Sequence, residues 1–323
     1  MKVTNILPLA ILPFFVACMN DGSSKEEELP NNQVTLKDYN IIIAPDLSNR
    51  INMALYPKPI HDTVLISSLI GHSSDLLTLN TRRSGQADIY KIDFINRGIL
   101  NGTSFEPKKM TIDFNRFENN QMDRVKYIRQ GLKADEQQFS DEVKRVYDYS
   151  LKNQTGADVW NYFNETVKVS LVDASPKRIQ SDNNILVDKK NNNVVLLLTD
   201  GYLENANKGK GYRLDPALIA KIRQDFKASR KSDLAAFIKA DSAYALNKTD
   251  FNLKDVNIFI AELVDRSLDK YGVAKEQPTD FQIIKVVWEK WLKDSGSPNV
   301  KVVQAVNTKQ EFYQEFEQFL KTL

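Results

Sequence analysis

Asn193-Val194-Val195-Leu196-Leu197-Leu198-Thr199 runs straight into Asp200-Gly201 and is the strongest strand signal in the chain. A short continuous apolar run bounded by turn residues is what a strand buried on both faces requires, because helices cover both sides of a parallel sheet. Toward the N-terminus, Tyr39-Asn40-Ile41-Ile42-Ile43-Ala44-Pro45 repeats the pattern. Toward the C-terminus, Val256-Asn257-Ile258-Phe259-Ile260-Ala261-Glu262-Leu263-Val264 and Val300-Lys301-Val302-Val303-Gln304-Ala305 do the same. Asp88-Ile89-Tyr90-Lys91-Ile92-Asp93-Phe94-Ile95 alternates like a strand, and Met110-Thr111-Ile112-Asp113-Phe114 is a further short one. Helical spacing fills the intervals: 63–79, 122–152 as one or two helices, and a helix beginning in 156–172 with Val159, Trp160, Phe163 and Val167 on one face. Asp215-Pro216 supplies an N-cap and then proline at the first helical position, opening a helix with Leu218, Ile222 and Phe226. Thr279-Asp280-Phe281-Gln282 and Thr308-Lys309-Gln310-Glu311 have the form of capping boxes. Strand and helix alternate about five times, which predicts an α/β fold with a doubly wound, mostly parallel sheet and helices on both faces. Ligand sites in such sheets lie beyond the carboxyl ends of the central strands.

Composition narrows the chemistry. At 323 residues, 42% hydrophobic and 27% charged, the chain has enough apolar content for a folded core. Its single cysteine excludes an internal disulfide framework and multi-cysteine metal sites, and two histidines exclude a His-rich cluster. A net charge of +2 gives no electrostatic case for nucleic acid. Gly201, Gly209 and Gly211 do not form a phosphate loop, so no nucleotide and no organic cofactor is expected.

The cysteine has a use of its own. Lys2 precedes the apolar run Ile6 to Ala17, which is too short and too proline-broken to span a bilayer and fits a secretory signal. Phe15-Val16-Ala17-Cys18 resembles the lipobox of bacterial lipoproteins, with Phe15 in place of the usual leucine. The resemblance implies cleavage before Cys18, lipidation of its thiol and attachment to the lipid bilayer. Residues 1–17 are then the signal peptide, 18–33 a solvated tether and 34–323 the folded domain. Ser23-Ser24-Lys25-Glu26-Glu27 also looks like the export signal of surface lipoproteins, which implies an outer-membrane anchor facing periplasm or cell surface in a Gram-negative bacterium.

Residues just past the strands carry the functional signal. Asp46-Leu47-Ser48-Asn49-Arg50 follows the first strand, Thr155 stands alone before a helix, and Thr199-Asp200-Gly201 follows the strongest strand. Strand then Asp-x-Ser-x-Ser, a lone Thr, and strand then Thr-Asp-Gly, in that order, resemble the von Willebrand factor type A (VWA) domain. The likeness covers roughly residues 37 to 323, with helical insertions near 115–152 and 202–255. It implies a metal-ion-dependent adhesion site in which Asp46, Ser48, Thr155 and Asp200 bind Mg²⁺. A hard cation of that kind takes oxygen ligands in octahedral geometry and retains exchangeable waters. An open position on it would receive an acidic side chain of a protein partner from the cell envelope or surface.

Arg50 departs from the family pattern, standing where a second serine is expected. A guanidinium there removes a ligand and adds positive charge beside the ion. Either Arg50 swings away and the ion binds, or Arg50 forks onto Asp46 or Asp200 and replaces the metal, or the junction is vestigial and metal-free. The alternative class of function is a Mg²⁺-dependent phosphoryl-transfer or hydrolase enzyme using Asp46, Asp200 and Asp265, but no base is in evidence at a recognisable spacing. His61, His72, Trp288 and Trp291 read as packing or surface residues, and Lys227 to Lys231 as a solvated helix face.

Overall fold

The computed structural model describes residues 33–323 apart from 84, 97, 100–104, 118–119, 181–185 and 205–208. Cys18, the signal segment and the tether before residue 33 lie outside the described residues. In chain order the elements are β1 (Gln33–Pro45), α1 (Asp62–Gly71), α2 (Ser73–Leu76), β2 (Ile89–Ile92), β3 (Thr111–Asp113), α3 (Gln121–Gln130) and α4 (Leu132–Lys152). They continue through α5 (Val159–Asn161), β4 (Lys177–Gln180), β5 (Leu186–Leu198), α6 (Pro216–Ser229), α7 (Leu234–Ala240), β6 (Val256–Leu263), α8 (Asp280–Asp294), β7 (Val300–Gln304) and α9 (Lys309–Lys321).

The sheet runs β3-β2-β1-β5-β6-β7, with β4 also paired to β5. β1 is parallel to β2 and to β5, β5 to β6, and β6 to β7, whereas β3 and β4 are antiparallel additions. The fold is therefore doubly wound α/β. The chain leaves β1 toward β2 and β3, then returns to β5 on the other side of β1. That reversal is a topological switch point, where the connections diverge and leave a crevice at the carboxyl ends of β1 and β5.

Side-chain alternation divides the core into two layers. Ile41 and Ile43 of β1, Val194 and Leu196 of β5 and Phe259 of β6 face one layer with Leu65 and Leu69 of α1, Val143 and Val146 of α4, and Phe312 and Phe316 of α9. Ile42, Ala44, Val195, Leu197, Ile258 and Ile260 face the other, with Ile219 and Ile222 of α6 and Ile284, Trp288 and Trp291 of α8. Burying both faces of these strands is why their sequences read as unbroken apolar runs. The 115–152 segment belongs to this packing, since Phe139, Val143, Val146 and Tyr147 of α4 are core residues.

Three expectations need adjustment. β5 starts at Leu186 and β1 at Gln33, because their polar first halves pair with each other and β5 also pairs with β4. Hydrogen bonding holds those halves, so apolar content does not announce them. The helix expected from 156 is only α5, followed by a π turn at Tyr162–Thr166 and a 3-10 turn at Val167–Ser170. Its buried face is Val159, Tyr162, Phe163, Thr166 and Val167, with Trp160 partly buried against the same layer and donating to the Asn247 carbonyl at 2.7 Å. The capping box of α8 is complete, whereas at α9 the Glu311 carboxylate accepts from the N–H of Asn307 instead of Thr308.

Candidate functional site

Register places the two aspartates side by side. Pro45 pairs with Leu198 and Leu198 with Ala261, so the residues just past β1 and β5 emerge together. The Asp46 N–H donates to the Leu198 carbonyl at 2.9 Å, and the Thr199 N–H to the Ala261 carbonyl at 3.1 Å. Thr199 Oγ1 then donates to Asp46 Oδ2 at 3.0 Å, while the Ser48 N–H donates to Asp46 Oδ1 at 3.0 Å. The Tyr202 N–H donates to Asp200 Oδ1 at 3.2 Å. Each carboxylate oxygen retains a lone pair for a further partner.

Gly201 permits the sharp exit from β5. Its φ of +91° is costly for side chains with a Cβ, and a Cβ there would stand 2.9 Å from Leu263 Cγ and 3.0 Å from Ile284 Cγ2. Its carbonyl accepts from Trp288 Nε1 at 2.9 Å, which ties the turn to α8.

Asp46, Ser48, Thr155 and Asp200 all line one cleft of about 670 Å³, together with Tyr56, Tyr202, Glu204 and Arg266. Thr155 is held there by Asn96, just beyond β2. Asn96 accepts from the Leu47 N–H at 3.0 Å and donates to the Thr155 carbonyl at 2.9 Å and to Thr155 Oγ1 at 3.3 Å. Asn96 thus ties the Asp46 loop to the Thr155 loop.

Arg50 takes a path of its own. It does not fork onto Asp46 or Asp200; its Nε donates to the Asp46 carbonyl at 2.9 Å, and its Nη2 reaches Asp62 Oδ2 at 2.6 Å and the Leu198 carbonyl at 2.5 Å. Only a looser approach of 3.7 Å joins Nε to Asp46 Oδ2. Asp62 also pairs with Lys58 and accepts from the Tyr147 hydroxyl at 3.0 Å, and Lys58 lies 3.3 Å from Glu262 Oε2. Burial alone would lower Arg50 and raise Asp62, but the pair overrides it: Asp62 and Asp46 hold Arg50 above its ordinary value, and Arg50 and Lys58 hold Asp62 well below its own.

Arg266, directly after β6, is the cation that meets Asp200. Its Nη2 lies 2.9 Å from Asp200 Oδ2, its Nη1 lies 2.6 Å from Glu204 Oε1, and its guanidinium stacks 3.7 Å from the Tyr202 ring centre. Burial and the adjacent Asp46 charge push Asp200 up, with Arg50 and Arg266 opposing. Two neighbouring buried carboxylates of this kind favour a cation.

Among the described residues no group of three or more His, Cys, Asp and Glu side chains forms a metal cage. The oxygen set formed by Asp46, Ser48, Thr155 and Asp200 is of another type, two carboxylates and two hydroxyls within a lining that also holds Asp158 and Glu204, and such hard donors fit Mg²⁺. Asp265 is not part of the cleft lining; its Oδ1 accepts from the N–H and hydroxyl of Ser267. His61 caps α1 and lies edge-on to Tyr147, and His72 stacks on Tyr313. Trp288 and Trp291 are buried core residues.

The sequence alone assigns no site role to Asn96, Lys58, Asp62 or Tyr147. Asn96 and Arg266 share one signal, a polar side chain just past a strand. The sequence matches no protein-family model and no characterised protein.

Proposed function

We propose that the chain is a bacterial lipoprotein, anchored in the outer membrane through Cys18, whose VWA-like domain binds another protein of the cell envelope or surface. The observation that supports this most is the meeting of Asp46, Ser48, Thr155 and Asp200, from three separate stretches of sequence, in one cleft at the switch point. Asp46 and Asp200 would supply the charge that holds Mg²⁺, and Ser48 and Thr155 the neutral hydroxyl ligands. The bound ion would offer an open Lewis-acidic position to a partner's carboxylate. Arg50 lines the same cleft, but its close hydrogen bonds go to the Asp46 and Leu198 carbonyls and to Asp62, which fixes the β1 turn and leaves the Asp46 carboxylate only the looser 3.7 Å approach.

Against the phosphoryl-transfer alternative, Asp265, one of the three aspartates it calls on, does not line the cleft among the described residues. Attachment is assigned to the lipid on the lipobox-like Phe15-Val16-Ala17-Cys18; among the described residues no helix is long and apolar enough to cross a membrane. Immobilised full chain should capture a partner from envelope extract in Mg²⁺, and capture should fall at least tenfold in EDTA and with Asp200→Ala. Capture that survives both treatments would place the binding surface elsewhere.

A further inference from the structure

We infer that Arg266, which bridges Asp200 and Glu204, is a built-in competitor for the cation, holding Asp200 until Mg²⁺ displaces it from that carboxylate and leaves it on Glu204 alone. This rests on the cleft being the cation site proposed above. Arg266 is seated by several independent contacts. One guanidinium nitrogen takes Asp200 Oδ2 at 2.9 Å and the other takes Glu204 Oε1 at 2.6 Å. The plane lies 3.7 Å from the Tyr202 ring centre, within the range of a cation–π contact. Tyr202 is itself fixed, its hydroxyl donating to Asp280 Oδ2 at 2.7 Å and accepting from the Arg266 N–H at 3.3 Å.

Mg²⁺ and a guanidinium draw on the same carboxylate lone pairs, and their like charges repel at ligand distance. Both cannot hold Asp200 at full strength. Arg50 cannot relieve the conflict, because its Nη2 is engaged by Asp62 and the Leu198 carbonyl. Glu204 can, because it offers Arg266 a second carboxylate beside the first. Arg266 is one-third exposed and Glu204 about half exposed, so the side chain can swing away from Asp200 while keeping Glu204, without opening the core. In this arrangement Asp200 is neutralised in either state, by Arg266 at rest and by the ion when loaded. Selection for Mg²⁺ over bulk cations then depends on out-competing a resident charge, which raises the concentration at which the site fills.

The test is calorimetric titration of Mg²⁺ into the full chain and its variants. Arg266→Ala is expected to bind at least tenfold more tightly than the wild type, with Arg266→Lys between the two because it keeps charge but loses the fork. Arg266→Gln, which leaves Asp200 a neutral donor, serves if the alanine variant does not fold, and is expected to gain affinity likewise. Adding Asp200→Asn to either should abolish the gain. Equal Mg²⁺ affinity in wild type and Arg266→Ala would overturn the role of Arg266 while leaving the cation site intact. Absence of Mg²⁺ binding in wild type and in both neutral variants would overturn the cation site itself, and the competitor with it.

Discussion

Arg50 carries the sharpest consequence at the scale of single residues. In the proposed metal-site reading it occupies a serine position, and restoring the serine looks like a repair. In the structure Arg50 is 5% exposed and, with Lys58, neutralises a fully buried Asp62, so the exchange removes one partner of a buried cluster. Breaking this pair costs about 1–3 kcal/mol, because Lys58 and the Tyr147 hydroxyl still hold Asp62 and the loss is of hydrogen bonds to a charge, not of its last partner. Arg50→Ser is therefore expected to lower unfolding free energy by about that amount in a urea melt, with Arg50→Lys losing less. A serine variant as stable as the wild type would contradict the pairing. The positions Asp46, Ser48 and Asp200 were legible because each stands immediately beyond an apolar run. Arg50's partner was not, since Asp62 lies 12 residues further on, on a different element, and no local pattern couples them.

At the scale of elements, the cleft depends on loops being fixed to strand ends. Asn96 is 2% exposed and joins the turn after β1 to the segment before α5 through three hydrogen bonds. Asn96→Ala would leave the Leu47 N–H and Thr155 carbonyl short of partners, at a cost of about 1–3 kcal/mol. The same variant is expected to weaken Mg²⁺ binding severalfold although Asn96 is no proposed ligand, because Thr155 loses its fixed position. A melt paired with a Mg²⁺ titration checks both effects, and unchanged affinity would show that Thr155 is held by other means. Helix starts were legible at this scale: Asp215 accepts from the Leu218 N–H and Thr279 from the Gln282 N–H, as their spacing requires. The polar halves of β1 and β5, and β4 beside them, were not legible, because backbone pairing without burial leaves no hydrophobic period.

For the whole molecule, the buried charges around Arg50 contribute to the response to pH alongside Asp88, Asp93 and Asp200, which burial also raises. Burial would raise Asp62, but Arg50 and Lys58 depress it, so its stabilisation is present above the ordinary value of 3.8 and is lost as pH falls through the depressed one. Glu262 goes the other way: burial and the Asp62 charge raise it, so the folded chain holds its proton longer than the unfolded chain does. Stability from that group declines as pH rises from the ordinary value of 4.5 through the raised one. Urea melts across this range should show an optimum on the mildly acidic side, with Glu262→Gln flattening the decline above it and Asp62→Asn flattening the loss below. A decline unaltered in Glu262→Gln would assign it to another group. The sequence by itself determined the doubly wound sheet and the strand-end position of its aspartates, since apolar runs and caps are local properties of the chain. Only the tertiary structure decided which cation meets which carboxylate: Arg50 turns into the core toward Asp62, and Arg266, 66 residues from Asp200, comes to the cleft. Strand register and burial choose those pairs, and neither is written in the spacing of residues along the chain.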